Sequence, residues 1–219
     1  MKKIIQFGEN VKGYSIPVLN EREIRAAAGI LFLFMFISIQ QAAMGDFLML
    51  KYAVIIFFTD MIIRVFINPN FSPILIIGRL FVRNQVPEYV GAQQKRFAWI
   101  IGIILALTMF VLIVILNSFS PITGIICFIC LIFLFFESVF GICIGCIFYR
   151  WFYKDKAQYC PGEVCEVNER QEIQRTSKAQ LGIVLFFIIY ITATIYLFND
   201  KFSVQPTYLF DRNITVQSE

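Results

Sequence analysis

Runs of mostly apolar residues alternate with polar segments along the whole chain. Five runs are long enough to cross the roughly 30 Å hydrocarbon core of a bilayer as helices. They cover residues 26–43, 48–67, 97–116, 122–149 and 181–198. The pattern predicts an all-α, polytopic membrane protein, a bundle of five transmembrane helices with the first four as its core.

The polar segments set the predicted boundaries of these parts. We expect an N-terminal segment at 1–25, a four-helix membrane core at 26–149, a cysteine-containing connection at 150–180, a fifth transmembrane helix at 181–198 and a tail at 199–219. Residues 74–82, between spans two and three, are apolar but too short to cross, so a short interfacial helix is expected there. Asn20 is expected to cap the first helix, with Glu23 at the capping-box position.

Basic residues indicate the orientation. The net charge is only +4, but fifteen of the 19 Lys and Arg residues fall in the N-terminal segment and in the two connections after spans two and four. The positive-inside rule therefore predicts a cytoplasmic N-terminus and an external C-terminus, in a multi-pass protein of a bacterial inner membrane. Lys95, Arg96 and Trp99, at the start of span three, are expected to form an anchor at the membrane interface.

The amino-acid composition limits the partners and the kinds of catalysis that are open to this chain. Apolar residues make up 58% of the chain and charged residues 16%, against roughly 25% charged in an average soluble domain. The lipid bilayer is the expected partner, and no nucleic acid is expected. The chain has no His, which excludes Ser-His-Asp and Cys-His catalysis and any imidazole-bound zinc or haem.

The cysteines supply the strongest candidate chemistry. Their number is 6, and they form three pairs, at 127 and 130, 143 and 146, and 160 and 165. Two cysteines three residues apart lie on one helix face, which suits dithiol chemistry or shared metal ligation. For Cys127 and Cys130, among bulky apolar neighbours, we favour burial without reactivity. For Cys143 and Cys146, beside two glycines at the cytoplasmic end of span four, we favour function.

The pair of Cys160 and Cys165 flanks a Pro-Gly turn signal in the cytoplasmic connection, so four thiols are expected on one side of the membrane. They could pass a disulfide from one pair to the other, or hold zinc or an iron–sulfur cluster. The spacings between these four cysteines match no strong metal-binding motif. We therefore place the redox hypothesis before the metal hypothesis and expect no cofactor.

Four charged residues lie within predicted spans and need partners, namely Lys51, Asp60, Arg64 and Glu137. Asp60 and Arg64, at i and i+4, are expected to form a buried charge pair, because an isolated charge in lipid is costly. Glu137 lies near the middle of predicted span four without a basic residue nearby in its helix. It is either protonated or paired with Arg64 or Lys51, and a proton relay to the thiols and a structural pairing are equally good interpretations.

Several stretches resemble a bacterial membrane family, catalogued as domain of unknown function 4395. They are NPNFSP at 68–73, VRNQVPEYVGAQQKRFA at 82–98, FESVFGICIGC at 136–146 and CPGEVC at 160–165. The resemblance covers most of residues 12–170 and implies a small integral membrane protein whose motif includes Cys143, Cys146 and Glu137. It implies no activity. Members occur beside or fused to thioredoxin-like or rhodanese-like domains, which implies thiol or sulfur chemistry with a partner of that kind.

Three functions are therefore considered. The first is thiol–disulfide or sulfur handling, with Cys143 and Cys146 as the reactive pair, Cys160 and Cys165 as the exchanging pair and Glu137 as proton relay. The second is a cysteine-coordinated metal- or cluster-binding membrane protein or transporter. The third is a non-catalytic scaffold subunit of a membrane complex.

Overall fold

A computed structural model describes residues 7–12, 14, 16–153, 173 and 175–208. The helices within these residues are α1 (Glu21–Ala43), α2 (Leu48–Ile62), α3 (Pro73–Val82), α4 (Ala92–Met109), α5 (Pro121–Phe135), α6 (Ile144–Tyr153) and α7 (Lys178–Phe202). Short π-helical segments extend α2, α4 and α5, at Ile63–Ile67, Phe110–Ile115 and Phe136–Phe140. The short strands are β1 (Val18–Asn20), β2 (Tyr89–Gly91), β3 (Ser118–Phe119) and β4 (Thr207–Tyr208).

Four of the described helices are long and apolar enough to cross a membrane. They cover Glu21–Ala43, Ala92–Ile115, Pro121–Phe140 and Lys178–Phe202. Helix α2 with its extension is also long and apolar. It is not one of these four helices, because it carries three charged residues, Lys51, Asp60 and Arg64. The chain is thus a mostly helical protein with helices suited to lipid contact.

Helix α1 begins at the predicted residue. The Asn20 side chain accepts a hydrogen bond from the backbone N–H of Arg22, which satisfies a donor that the first turn leaves free. Glu23 does not form a capping box. A capping-box Glu accepts from the backbone N–H of the cap residue, whereas the Glu23 carboxylate accepts from the side-chain amide of Asn20 at 3.0 Å. The carboxylate also pairs with the Arg79 guanidinium of α3 at 2.9 Å, so one acidic residue joins the cap to a second helix.

Helix α3 lies directly against α1. A β-carbon added at Gly78 would stand 2.9 Å from the carbonyl oxygen of Glu23 and 3.0 Å from the nitrogen of Ala27, so the two backbones touch here. Only glycine permits so close an approach. The predicted short helix is present, while its position at the membrane interface stays a prediction.

Helix α7 is attached at its two ends. At its end, the Lys51 ammonium donates to the carbonyl oxygens of Phe202 and Val204 at 2.8 and 2.7 Å. At its start, the Gln180 amide donates to the carbonyl oxygen of Asn70 at 2.8 Å. Since Lys51 begins α2 and Asn70 follows its extension, α7 runs antiparallel to α2 along the whole of that segment.

The turns gather at opposite ends of the bundle. At one end, Thr207 donates its N–H to the carbonyl oxygen of Asn117 at 2.8 Å and β4 pairs in parallel with β3. The Gln205 side chain reaches the carbonyl oxygen of Gly45 there. At the other end, β1 pairs antiparallel with β2 and joins the N-terminal segment to the connection before α4.

The apolar core has two parts. The larger one joins α1, α2, α4 and α5 around Leu31, Phe57, Trp99 and Leu134. The smaller one, nearer the end with Gly45 and Asn117, contains Leu50, Val54, Met109, Ile113 and Cys127.

The prediction of one continuous span from 122 to 149 is wrong. Helix α5 with its π-helical extension ends at Phe140, and α6 is a separate helix that begins at Ile144. Gly141 between them has φ of 66°, a left-handed conformation that ends a helix and that glycine adopts without strain. The apolar character of both helices hides this break from a hydropathy pattern.

Candidate active site

The turn between α5 and α6 is held by α1. The guanidinium of Arg25 donates to the carbonyl oxygen of Val139 at 3.2 Å. The same group packs against Gly141, where an added β-carbon would stand 3.3 Å from it. The position where α6 starts is therefore fixed by a side chain of the first helix.

Cys143 and Cys146 occupy the start of α6 and are joined by a disulfide, with 5.1 Å between their Cα atoms. The backbone N–H of Cys146 faces the carbonyl oxygen of Cys143 at 3.0 Å and its sulfur at 3.2 Å. The N–H of Ile147 donates to the same carbonyl at 3.1 Å. Cys143 thus directly precedes α6, and its sulfur accepts from one N–H of the first turn, that of Cys146.

Helix α6 packs on α4 through a glycine. A β-carbon at Gly145 would stand 2.5 Å from the β-carbon of Ala98, so α6 rests directly on α4 at this point. One turn further, the rings of Phe97 and Tyr149 are 5.5 Å apart. The outer side of α6 carries exposed apolar side chains, namely Ile147, Phe148 and Trp151.

Glu137 lies in the π-helical last turn of α5, which corrects its predicted place near the middle of a span. Its carboxylate pairs with Lys95 at 2.8 Å, so the prediction of Arg64 or Lys51 as its partner is wrong. The Lys95 ammonium also contacts Glu21 at 2.8 Å. Lys95 is only 1% exposed, so it is a buried cation between two carboxylates.

This burial also corrects the expected interfacial anchor. Lys95 and Trp99, which is 3% exposed, face the bundle interior. Sequence reasoning missed Lys95 as the partner of Glu137 because the two residues lie on different helices. The available signal was the lack of any basic residue near Glu137 in its own helix, together with a lysine at the start of the neighbouring span on the same side.

Asp60 and Arg64 form a buried pair. One carboxylate oxygen of Asp60 is 2.6 Å from Nη2 of Arg64, and both side chains are at most 2% exposed. The other oxygen accepts from the Ser72 hydroxyl at 2.6 Å and from the backbone N–H of Ile74 at 3.1 Å. Asp60 therefore also binds the first turn of α3, and Ser72 and Ile74 are partners that the i,i+4 spacing did not predict.

A cavity of about 50 Å³ lies between α2, α4, α5 and α6. Its polar and sulfur-bearing wall residues are Met61, Arg64, Trp99, Cys130, Glu137 and Cys143. The guanidinium carbon of Arg64 lies 5.3 Å from the centre of the Trp99 ring, a cation–π distance. The indole N–H of Trp99 is buried and has no hydrogen-bond partner in the part of the chain that the structure describes.

The remaining cysteines have different surroundings. Cys127 and Cys130 are buried free thiols in α5. Cys160 and Cys165 lie outside the described residues, so their proximity to Cys143 stays a prediction. Among the described residues, Cys, Asp and Glu side chains form no group of three or more that could hold a metal ion.

A family model described as Domain of unknown function (DUF4395) matches residues 19–154. The chain belongs to this family. The matched region of this DUF4395 member runs from β1 to the end of α6 and so contains the disulfide, the cavity and the buried charges, while α7 lies beyond it. No curated protein and no solved structure matches the chain.

Proposed function

We propose that the protein exchanges thiols and disulfides at Cys143 and Cys146. The observation that carries this proposal is the position of the Cys-x-x-C pair in the first turn of α6. A helix N-terminus and the Cys-x-x-C spacing both favour the thiolate, which is the nucleophile in disulfide exchange. A dithiol partner would form a disulfide while the Cys143–Cys146 bond opens, and the two protons of the partner would pass to the two released thiolates.

The surroundings of α6 support access from water. Cys143 and Cys146 are both half-buried. The exposed face of α6 with Ile147, Phe148 and Trp151 is typical of a helix lying in a membrane interface. In that location a soluble reductant reaches the disulfide from the cytoplasmic side, as a thioredoxin-like or rhodanese-like partner would require.

Glu137 and the cytoplasmic cysteines complete the proposed site. The Glu137 carboxylate lines the cavity that Cys143 also lines, and its pairing with Lys95 holds it at this depth. We assign it the role of carrying a proton to the thiolate that leaves. Cys160 and Cys165 are the proposed exchanging pair within the chain.

We also propose that α2 with its extension is a fifth membrane crossing. It runs antiparallel to α7 from Lys51 to Asn70, and α7 is itself long enough to span. The charges of α2 are compensated within the protein, Asp60 by Arg64 and Lys51 by two carbonyl groups. Compensated charges lower the cost of placing this segment in lipid.

The test uses the full chain with cysteines only at 143 and 146, the other four being changed to Ser. The purified protein is equilibrated with glutathione buffers of different redox ratio and alkylated with a maleimide, and the added mass is measured. We expect the two thiols to appear and disappear together in one transition. The matched control keeps only Cys127 and Cys130, which have the same spacing inside a span; it should not respond, because both thiols are buried and glutathione does not reach them directly.

Two results would overturn the proposal. Complete alkylation of Cys143 and Cys146 in every buffer would remove the redox role and favour the scaffold alternative. Stoichiometric zinc or an iron–sulfur cluster in anaerobically purified wild-type protein, lost on Cys143→Ser, would favour the metal alternative.

A further inference from the structure

Cys130 shares a cavity with the disulfide. It lies on the same face of α5 as Leu134 and Glu137, and that face forms one wall of the cavity. Cys143, at the start of α6, forms another part of the wall. Cys130 is a free thiol that is only 4% exposed, and it lines this cavity.

Cys127 has the same residue type and a similar burial but a different neighbourhood. Its sulfur contacts the Met109 sulfur at 4.0 Å, and it belongs to the smaller apolar core. It is absent from the wall of the cavity. Because i and i+3 positions of a helix are neighbours, Cys127 is close to Cys130 although it does not face the disulfide.

The cavity wall is suited to sulfur chemistry. The Trp99 N–H, without a partner in the described residues, lies on it together with Cys130 and Cys143. A buried N–H of this kind can donate to a sulfur that gains negative charge during exchange. The same wall carries Glu137, which can accept the proton that a thiol must lose.

We propose that Cys130 is the next sulfur in a relay that leads from the Cys143–Cys146 disulfide into the membrane. This inference rests on the proposed exchange function and adds a second dithiol, inside the bundle, that can reduce the same disulfide. The Cys130 thiolate attacks the Cys143 sulfur, a Cys130–Cys143 bond forms, and Cys146 leaves as a thiolate and takes up a proton. Cys127 then attacks Cys130, and Cys143 is released as the second thiol.

The sum of these steps is balanced. The Cys127 and Cys130 thiols lose two electrons and two protons and become a disulfide, while Cys143 and Cys146 gain both and become thiols. No further oxidant or reductant enters. The pair that lies deeper in the bundle thus supplies reducing equivalents to the pair at the membrane surface.

The experiment traps the first bond. Two full-length variants are compared, Cys127→Ser/Cys146→Ser and Cys130→Ser/Cys146→Ser, both also carrying Cys160→Ser and Cys165→Ser. Each is purified in detergent, oxidised with oxidised glutathione, blocked with a maleimide and analysed by peptide mass spectrometry. We expect a Cys130–Cys143 disulfide in most chains of the first variant and no internal disulfide in the second.

An unlinked Cys143 in the first variant, or equal linkage in both, would overturn the relay. If the serine variants do not elute as folded protein, the same measurement is made with Cys146→Ala in place of Cys146→Ser.

The experiments distinguish failure of the relay from failure of the exchange function. A redox transition of the Cys143–Cys146 pair without a Cys130–Cys143 bond would refute the relay alone, whereas absence of the transition would refute the function itself.

Discussion

Individual charged residues show how the bundle accommodates polar groups. Lys51, Arg64, Arg79 and Lys95 are each at most 4% exposed. Each nevertheless lies within 3 Å of an oxygen, a carboxylate for three of them and backbone carbonyls for Lys51. An unpaired charge in such a place costs several kcal/mol, so these contacts are requirements of the fold.

The buried pair of Asp60 and Arg64 gives a prediction at this scale. Asp60→Asn leaves the Arg64 charge buried without its counter-ion, and we expect the free energy of unfolding to fall by roughly 3–5 kcal/mol. The control is Arg22→Gln, which breaks an ion pair with Glu88 whose side chains are 33% and 34% exposed and should cost less than about 1 kcal/mol.

Both variants are measured by titrating detergent-solubilised protein with SDS and following its circular dichroism. Equal losses for the two substitutions would contradict the structural role assigned to Asp60. The double variant Asp60→Asn/Arg64→Gln removes both charges and should recover part of the loss.

Helices are positioned by small residues where two backbones meet. Gly78 brings α3 onto α1, and Gly145 brings α6 onto Ala98 of α4. The second contact determines where the first turn of α6, and therefore the disulfide, lies relative to the cavity. Packing of this kind between helices is common where lipid provides no hydrophobic driving force for association.

Gly78→Ala tests the contact between α1 and α3. The added β-carbon would meet backbone atoms of α1, which cannot move aside as a flexible side chain can. We expect a loss of roughly 1–3 kcal/mol in the free energy of unfolding. Gly182→Ala in α7 is the matched control, since nothing lies within 4 Å of its added β-carbon and alanine favours a helix by about 1 kcal/mol. A stable Gly78→Ala protein would show that the helices can separate without cost.

The whole molecule is organised by which segments meet at each end. The turns near Gly45 and Asn117 gather with Gln205 at one end. The basic and acidic residues Arg79, Lys95 and Glu137 lie toward the other, with the start of α7. The positive-inside rule assigns these two ends to opposite sides of the membrane, and this orientation stays a prediction.

Reporter fusions test the proposed five crossings. Reporters are placed within residues 150–178, after residue 219 and, as an independent point, after Gly45. We expect the first to read out as cytoplasmic and the other two as external, because an odd number of crossings places the N- and C-termini on opposite sides. The same compartment for the first two would contradict the crossing of α7, and a cytoplasmic reporter after Gly45 would contradict that of α1.

The sequence by itself determined the features that depend on near neighbours in the chain. Apolar runs of sufficient length predict helices suited to lipid, Asn20 predicts the start of α1, and a spacing of four residues predicts that Asp60 and Arg64 share a helix face. The Cys-x-x-C spacing likewise predicts that Cys143 and Cys146 lie close together. All of these follow from helix geometry over a few turns.

Only the tertiary structure decided which helices supply the other half of each contact. Glu137 meets Lys95, Arg25 holds the turn at Gly141, and Cys130 shares a cavity with Cys143 while Cys127 does not. The break at Gly141 is equally invisible to hydropathy, because the residues on both sides are apolar. The physical reason is that helix rotation and approach are set by packing between segments distant in sequence, and periodicity within one helix carries no information about its neighbour.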